Sequence, residues 1–374
     1  MSAGAPGGAA ISLHEAAGQV LMVGVEGAQL TPLEASWLRL MRPAGVILFR
    51  RNLESAGQAR ALLQSLQAFT PLPVLRAIDM EGGSVDRLRD MFRAMPSPAA
   101  VAATGRPDLF AAHGQLIGRE LRALGLHATF APVLDLKTPR SGPVMQSRVI
   151  DGPATAVAAY ARQFLTGLKR ENILGCGKHF PGLGDGEVDS HQTTPRIAKS
   201  FDRLWREDLL PYRRLAQRLA LVMVAHAQYP STPSGQAPAS VSPYWVSEVL
   251  GQKIGFDGLV VSDDMEMGGI LGHCGMAEAA VLAVAAGTHL VEICRDPSLI
   301  FGAYEGLLRE AERSAAFARR LRAAAARVRS FRSARLRRDP LRAAPPSPAS
   351  LRRLGDDIRR FSERVERRNG KATA

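Results

Sequence analysis

The sequence is poor in cysteine: only Cys176, Cys274 and Cys294 occur among its 374 residues. An odd, sparse count without paired spacing argues against both a disulfide framework and a zinc site. Such usage is typical of proteins in a reducing compartment. We therefore predict that the chain forms no disulfide framework and binds no metal.

Long apolar runs are also missing. No stretch reaches the roughly eighteen residues that a membrane-spanning helix needs. The N-terminus has neither the basic start nor the long apolar core of a secretory signal. Together these absences predict a cytoplasmic protein with no membrane span.

Acidic residues are outnumbered, with 35 Asp and Glu against 48 Lys and Arg, so the formal net charge is +13. A basic balance can indicate a nucleic-acid partner. The excess is concentrated after residue 308, however, and the body before it is close to balanced. We therefore assign the charge to the C-terminal region and predict no nucleic-acid binding.

Eight short apolar runs recur along the chain, with helix-like segments between most of them. Continuous rather than alternating apolar runs are typical of parallel strands covered on both faces. Eight repeats favour a (β/α)8 barrel over an open doubly wound sheet, and no GxGxxG motif follows the first run. The predicted strands are 20–25, 45–49, 74–79, 129–135, 174–180, 221–226, 259–263 and 290–295.

We predict one catalytic domain of the α/β class, a TIM-type barrel over residues 1–335, followed by a basic extension over 336–374. The extension begins with a Pro/Ala/Ser linker, RRDPLRAAPPSPAS, and continues as a charged helix with a thin apolar stripe. Because charge runs are usually solvated, we expect a solvated, partly disordered tail. A docking helix or an anion-binding arm is the alternative.

Ionisable residues end five of the predicted strands. In (β/α)8 barrels the active site lies at the C-terminal ends of the strands. A single strand-end Asp is usually a helix cap or a salt-bridge partner, but five such ends favour a shared site. The residues are Asp79, Asp135, Lys178 with His179, His226 and Asp263.

The stretch KHFPGLGDGEVDSH, residues 178–191, places many ionisable groups on a glycine-rich backbone. Lys178 and His179 supply donors that suit a ligand rich in hydroxyls. Asp189, two residues before His191, could fix the imidazole tautomer and leave the other ring nitrogen to exchange a proton. The alternative is that Asp189 and the following Ser begin a helix.

Further polar residues follow other strands. Asp263 follows an apolar strand, where a carboxylate can stabilise positive charge or attack an electrophilic carbon. Asp264 points the other way in an extended chain, and we interpret it as a cap of the next turn. Asp79 and Arg87 could hold polar substrate groups, and Arg148 offers paired donors for oxygen-rich groups.

The loop at 178–191 resembles the signature loop of the β-N-acetylglucosaminidases in glycoside hydrolase family 3. That pattern is K-H-[F/I]-P-G-[H/L]-G, four variable residues, then D-[S/T]-H, and every fixed position is met here. The resemblance extends from about residue 18 to 300. It is carried by GVILFRRN, AIDMEGG, FAPVLDL, PASVSPYW, GFDGLVVSDD and AAGTHLVEICR, in family order.

The resemblance implies retaining hydrolysis of terminal, non-reducing β-linked N-acetylglucosamine, from muropeptide-type substrates or chitooligosaccharides, without a cofactor. Bacterial family members often act in cytoplasmic cell-wall recycling. Asp263 would be the nucleophile, and His191 the acid/base with Asp189 as its partner. The sugar would be held by Asp79, Arg87, Arg148, Lys178 and His179, and we expect a monomer.

Two departures from the family pattern bear on substrate subsites. The family usually reads D-Q-E-G-G-R-V where this chain has DMEGGSV, so Met80 and Ser84 lack polar or charged groups found there. The motif I-G-x-R-S-F is replaced by MQSRVI at residues 145–150. Neither departure touches the nucleophile or the acid/base.

Three other functions stay open. A phosphorylase is one, because a His tolerates a phosphate nucleophile better than a Glu does. A β-glucosidase of the same family is another, although such enzymes usually draw the acid/base from a further domain. The third is a non-catalytic binder of glycans or peptidoglycan fragments, which intact Asp189, His191 and Asp263 argue against.

Overall fold

The computed structural model describes residues 11–142, 145–186 and 193–372. Its central element is one sheet of eight strands whose side chains are almost all buried. The strands are β1 Leu21–Val23, β2 Gly45–Leu48, β3 Leu75–Ile78, β4 Ala128–Thr129, β5 Leu174–Phe180, β6 Leu221–Val224, β7 Leu259–Ser262 and β8 Val291–Ile293.

The sheet closes into a barrel. All its strand pairs are parallel and follow chain order from β1 to β7, and β8 pairs with β1. A parallel bridge between Val261 and Leu290 joins β7 to β8, and the Ser262 amide donates to the Leu290 carbonyl at 3.0 Å. The predicted (β/α)8 barrel is confirmed.

Helices connect the strands and cover the outside of the barrel. They are α1 Leu13–Gln19, α2 Pro32–Met41, α3 Ala56–Gln67, α4 Pro98–Ala103, α5 Pro107–Leu124, α6 Ala154–Arg170, α7 Phe201–Arg206, α8 Leu210–Leu215, α9 Gly268–Leu271, α10 Met276–Ala286, α11 Pro297–Arg313, α12 Ala315–Arg335 and α13 Pro348–Ala372. A π-helix, Tyr244–Lys253, and short 3₁₀ turns at Arg50–Asn52, Ala239–Val241 and Pro340–Arg342 complete the connections.

Local sequence signals set several helix ends. Before α2, the Thr31 hydroxyl accepts from the Glu34 amide, and the Glu34 carboxylate accepts from the Thr31 amide, which forms a capping box. Pro107 occupies the first turn of α5, where its missing N–H costs nothing. These signals make each connection begin and end at defined residues.

The barrel interior is apolar except near one end. Its side chains come from strands all around the sheet: Met22, Ile47, Leu75, Ala77, Ala128, Phe130, Cys176, Leu221, Met223, Leu259, Val261, Leu290 and Cys294. Val328 and Phe331 at the end of α12, followed by Leu336, pack into the same cluster. The opposite, C-terminal end of the strands is therefore left for polar side chains.

Helix α13, in the basic extension, packs on α4 and α5. Leu354, Ile358, Phe361 and Val365 are buried, at spacings that place them on one face of a helix. The basic composition predicts a solvated tail, but in the structure the apolar stripe of α13 is buried against α4 and α5. The boundary between residues 335 and 336 stays a prediction.

No helix in the described ranges combines the length and the apolar character needed to cross a bilayer.

Candidate active site

Polar side chains gather at the C-terminal end of the barrel strands. Asp79 directly follows β3, Asp263 directly follows β7, and Lys178 and His179 lie near the end of β5. The peptide bond between Lys178 and His179 is cis. Since parallel strands end at the same rim, these four side chains share one end of the barrel.

A buried ion-pair network lies at this rim. The Lys178 ammonium donates to Asp79 Oδ1 at 2.6 Å and lies 2.7 Å from Glu81 Oε1. Arg148 donates to both Glu81 oxygens, at 2.9 and 2.8 Å. The bidentate geometry is typical of strong guanidinium–carboxylate pairing. Two of the predicted sugar-binding residues, Lys178 and Arg148, are thus joined through the Glu81 carboxylate, and Asp79 is joined to them through Lys178.

The charges in this network are stabilised by one another. Burial alone would raise the pKa of Glu81, but Arg148 and Lys178 outweigh it and lower that pKa to about 2. Burial alone would lower the pKa of Lys178, but Asp79 and Glu81 raise it above its usual value. The carboxylate and the ammonium are therefore both ionised near neutral pH.

Glu81 is a site residue that the sequence reasoning missed. It lies on a two-stranded hairpin, Met80–Gly82 with Val85–Asp86, that follows β3. Gly82 and Gly83 have φ angles of 95° and 63°, and a Cβ on Gly82 would lie 2.3 Å from the Pro96 carbonyl oxygen. An acidic residue before two glycines was the available signal.

Arg87 lies at the outer edge of the network. Its guanidinium is 4.0 Å from Asp79 Oδ2 and 5.9 Å from the centre of the Phe49 ring, and a third of its side chain is exposed. Arg87 therefore faces the same carboxylate as Lys178 but from the open side. This position leaves its donors within reach of a ligand in the barrel mouth.

Asp135 fixes the orientation of His179. Its Oδ2 accepts from His179 Nδ1 at 2.6 Å, and its Oδ1 accepts from the Leu183 amide at 2.7 Å. Nδ1 is therefore the donor in this bond. The sequence placed Asp135 at a strand end without a role; in the structure it holds both the ring and the loop that follows.

Asp263 is an ionised carboxylate at the barrel mouth. Its amide donates to the Val224 carbonyl at 3.0 Å, which anchors it beside β6. Burial alone would raise the pKa of Asp263, but the nearby His179 and His226 rings outweigh that effect and lower it. A low pKa keeps the side chain available as a nucleophile or as a counter-charge.

Asp264 and His226 form hydrogen bonds to backbone groups close to Asp263. Asp264 Oδ1 accepts from the Glu266 amide at 3.0 Å and the Cys294 amide at 3.3 Å, which is the capping role interpreted from the sequence. His226 lies 2.7 Å from the Ser240 hydroxyl and donates to the Asp264 carbonyl at 3.1 Å. These bonds fix the chain directly after Asp263.

Glu292 is a second site residue that the sequence reasoning missed. It lies opposite Met22 in the β1–β8 register, and both side chains are buried. Its Oε2 has no hydrogen-bond partner among the described residues. Burial and three nearby aspartates raise the pKa of Glu292 well above its usual value, which favours the protonated carboxyl over the carboxylate.

The residues that depart from the family pattern make identifiable contacts in the structure. Met80 is fully buried and packs in the hydrophobic core. The exposed Ser84 lies 2.9 Å from the Ser147 hydroxyl, which links the hairpin to the loop bearing Arg148. Met145 Sδ accepts from Arg148 at 3.6 Å. Both altered segments therefore support Arg148.

The predicted acid/base pair, Asp189 and His191, lies outside the described residues. The other predicted site residues are placed at one end of the barrel. In the described ranges, no group of three or more His, Cys, Asp or Glu side chains is arranged to hold a metal ion.

Known proteins resemble this chain over most of its length. The profile of the glycosyl hydrolase family 3 N-terminal domain matches residues 12–331. A β-hexosaminidase from Pseudomonas aeruginosa is 38% identical over 277 residues, which cover 74% of this chain and 82% of that protein. One from Bordetella avium is 39% identical over 287 residues, 75% and 81% of the two chains.

The solved structure of a family 3 β-N-acetylglucosaminidase from Paenibacillus sp. superposes with a TM-score of 0.85 at 30% identity. The match covers 95% of this chain and 69% of that one. The likeness thus holds in sequence and in three dimensions. The chain belongs to glycosyl hydrolase family 3, as a glycosidase of the β-hexosaminidase group.

Proposed function

We propose that this glycosidase removes terminal, non-reducing β-linked N-acetylglucosamine with retention of configuration. Asp263 is the nucleophile, and His191, steadied by Asp189, is the acid/base. The observation that supports this most directly is the position of Asp263, which directly follows β7 at the rim that also carries Asp79, Lys178 and His179. An anion at this place is what an oxocarbenium-like transition state requires beneath the anomeric carbon.

The reaction proceeds in two displacements. As the glycosidic bond breaks, an Asp263 oxygen bonds to C1, and the His191 imidazolium gives its proton to the leaving oxygen. Neutral His191 then takes a proton from water, the hydroxide attacks C1, and the bond to Asp263 breaks. The imidazolium is regenerated, and the two inversions give net retention.

The buried ion-pair network is suited to hold the sugar hydroxyls. Asp79 offers acceptors, whereas Lys178 and Arg148 offer charged donors fixed by Glu81. Arg87 and His179 complete the proposed set, one at the open edge and one oriented by Asp135. Groups held by ion pairs need little rearrangement on binding, which favours recognition of a rigid pyranose.

The substrate class follows from the relatives and is part of the proposal. Proteins resembling this chain are named β-hexosaminidases and a β-N-acetylglucosaminidase. We propose muropeptide-type fragments or chitooligosaccharides as substrates, and a monomer that works in cytoplasmic cell-wall recycling. Release of N-acetylglucosamine from each fragment by the purified protein, together with its mass in solution, tests this part.

Asp263→Ala is expected to abolish turnover. Without the carboxylate, no covalent intermediate forms, and kcat on an aryl β-N-acetylglucosaminide falls by at least about 10³-fold. The thermal unfolding midpoint should stay close to that of the unmodified protein. Asp257→Asn, at an exposed aspartate paired with Arg327, is the matched control and should keep its activity. Near-normal kcat in the Asp263 variant would refute the nucleophile assignment.

His191→Ala is expected to separate substrates by their leaving groups. An activated aryl glycoside needs little protonation in the first displacement, so its kcat/KM falls far less than that of a substrate with a sugar aglycone. An equal loss of kcat/KM on both substrates would contradict the acid role.

The same assays with and without phosphate distinguish the phosphorylase alternative. Hydrolysis gives free N-acetylglucosamine at a rate independent of phosphate, whereas a phosphorylase gives the sugar phosphate. An aryl β-glucoside tests the β-glucosidase alternative in parallel.

A further inference from the structure

We propose that helix α13 positions the sugar-binding hairpin through Phe361 and His113. Helix α13 thereby supports the geometry of the site, and Phe361 and His113 act as positioning residues that do not contact the substrate. The inference rests on the proposed function, because it assigns the hairpin carboxylate Glu81 to the organisation of the sugar site.

Helix α13 lies along α5 in the opposite direction. In the first half of α13, Asp357 pairs with Arg119, toward the end of α5, at 2.8 Å. Further along α13, Arg364 pairs with Asp108 in the first turn of α5 at 3.3 Å. Asn369 donates to the Ala100 carbonyl of α4 at 3.0 Å. The end of α13 therefore reaches the segment that follows the hairpin.

Phe361 and His113 form the central contact between the two helices. Their ring centres are 5.8 Å apart at an interplanar angle of 22°, and both residues are buried. His113 Nδ1 lies 2.7 Å from the Tyr160 hydroxyl, and the Phe164 ring packs edge-on at 5.4 Å. The imidazole is thus enclosed on several sides and has no room to change rotamer independently.

His113 in turn supports the hairpin from behind. A Cβ placed on Gly82 would lie 3.0 Å from His113 Nε2, so the ring is in close contact with the hairpin backbone. The hairpin is tied to the returning chain by the Gly83 amide, which donates to the Met95 carbonyl at 2.8 Å. Any space opened behind His113 therefore lets the backbone at Gly82 move.

The position of the hairpin determines the position of Glu81 in the proposed sugar site. Glu81 adjoins Gly82 and binds Lys178 and Arg148. A shift of the hairpin loosens those pairs, whereas Asp263 follows β7 and is not part of the hairpin. Loss of the support should therefore weaken sugar binding more than it slows bond cleavage.

The mechanism depends on packing and not on charge. Burial lowers the pKa of His113 to about 3, so the ring is neutral at the pH of any ordinary assay. The effect of removing Phe361 should accordingly be the same across the neutral range.

The test compares Phe361→Ala with Leu354→Ala. Both changes remove a buried apolar side chain from α13, but Leu354 lies about 10 Å along the helix from Phe361. In Phe361→Ala we expect KM for an aryl β-N-acetylglucosaminide to rise by about tenfold while kcat changes less than about threefold. In Leu354→Ala both constants should stay within about twofold of the unmodified values, at a comparable loss of thermal stability.

Hydrogen exchange gives a readout that needs no activity. The amides of Gly83, Leu88 and Met95, which are hydrogen-bonded within the hairpin region, should exchange faster in Phe361→Ala and at the original rate in Leu354→Ala. Unchanged exchange at these amides, or equal exchange in both variants, would overturn the positioning role. If the hairpin loosens but KM does not move, the sugar-site assignment of Glu81 fails instead.

Discussion

Glu81 is the residue on which the buried ion-pair network at the rim depends most. It is fully enclosed and neutralises two cations at once, Lys178 and Arg148. Removing one partner of a buried ion pair leaves an uncompensated charge, which typically costs about 3–5 kcal/mol. A single carboxylate thus couples the proposed sugar site to the stability of the fold.

This coupling predicts a specific pH dependence for Glu81→Gln. The folded-state pKa of Glu81 lies near 2, below its usual 4.5, so its stabilising effect is complete above 4.5 and is lost as pH falls toward 2. Between about pH 6 and about pH 3 the unmodified protein should lose about 2 kcal/mol more free energy of unfolding than the variant. Urea unfolding at both pH values measures the difference.

Glu305→Gln is the control for this measurement, because the Glu305 side chain is largely exposed and pairs only at the surface of α11. It should lose free energy of unfolding with falling pH as the unmodified protein does. If the Glu81 variant also does so, the carboxylate is not the stabilised anion described above.

Candidate site residues at the ends of strands could be predicted from the sequence more readily than those elsewhere. Asp79, Lys178 and Asp263 could be predicted because a polar residue at the end of an apolar run stands out. Glu81 could not, since it lies on a short hairpin whose geometry depends on two left-handed glycines. Glu292 was hidden within an apolar strand, where a carboxyl is rarely expected.

Among the elements, the segment between α12 and α13 differs most from a free linker. Asp339 forms an ion pair with the fully buried Arg76 of β3. Arg60 of α3 donates to the carbonyls of Pro340, Leu341 and Ala343, at 2.7–3.5 Å. The segment is therefore fastened to the barrel at several points, and it leads α13 toward its place on α5.

Asp339→Ala is expected to destabilise the protein substantially. Arg76 would be left as a buried cation without its carboxylate, at a cost of about 3–5 kcal/mol in the free energy of unfolding. Asp357→Ala, in the same extension, removes half-exposed pairs with Arg119 and Arg360 and should cost at most about 1 kcal/mol. Denaturant unfolding of both variants tests this, and equal losses would contradict the anchoring role of Asp339.

The contrast between strands and α13 shows what a sequence can convey about elements. Apolar runs identified all eight strands because a buried parallel strand has no polar face. The stripe on α13, at Leu354, Ile358, Phe361 and Val365, was also visible. The surface on α4 and α5 that this stripe contacts could not be predicted. The periodicity of a segment shows which of its faces is buried, but not which distant segment covers that face.

In the whole molecule, the apolar core and the polar side chains of the candidate site occupy different parts of the barrel. Apolar layers and the end of α12 fill the interior, while Asp79, Lys178 and Asp263 lie at the C-terminal rim of the strands. The net charge of +13 belongs largely to the helices that enclose this barrel and not to the site. The family pattern made the site predictable in outline, whereas its supporting contacts required the three-dimensional structure.

Asp263 is proposed to bond to the anomeric carbon during turnover. A 5-fluoro analogue of an activated β-N-acetylglucosaminide should trap this glycosyl-enzyme, and peptide mass spectrometry then locates the bond. We expect one added sugar per chain, located on Asp263 and absent from Asp263→Ala. A label on another residue, or inactivation with no covalent adduct, would contradict it.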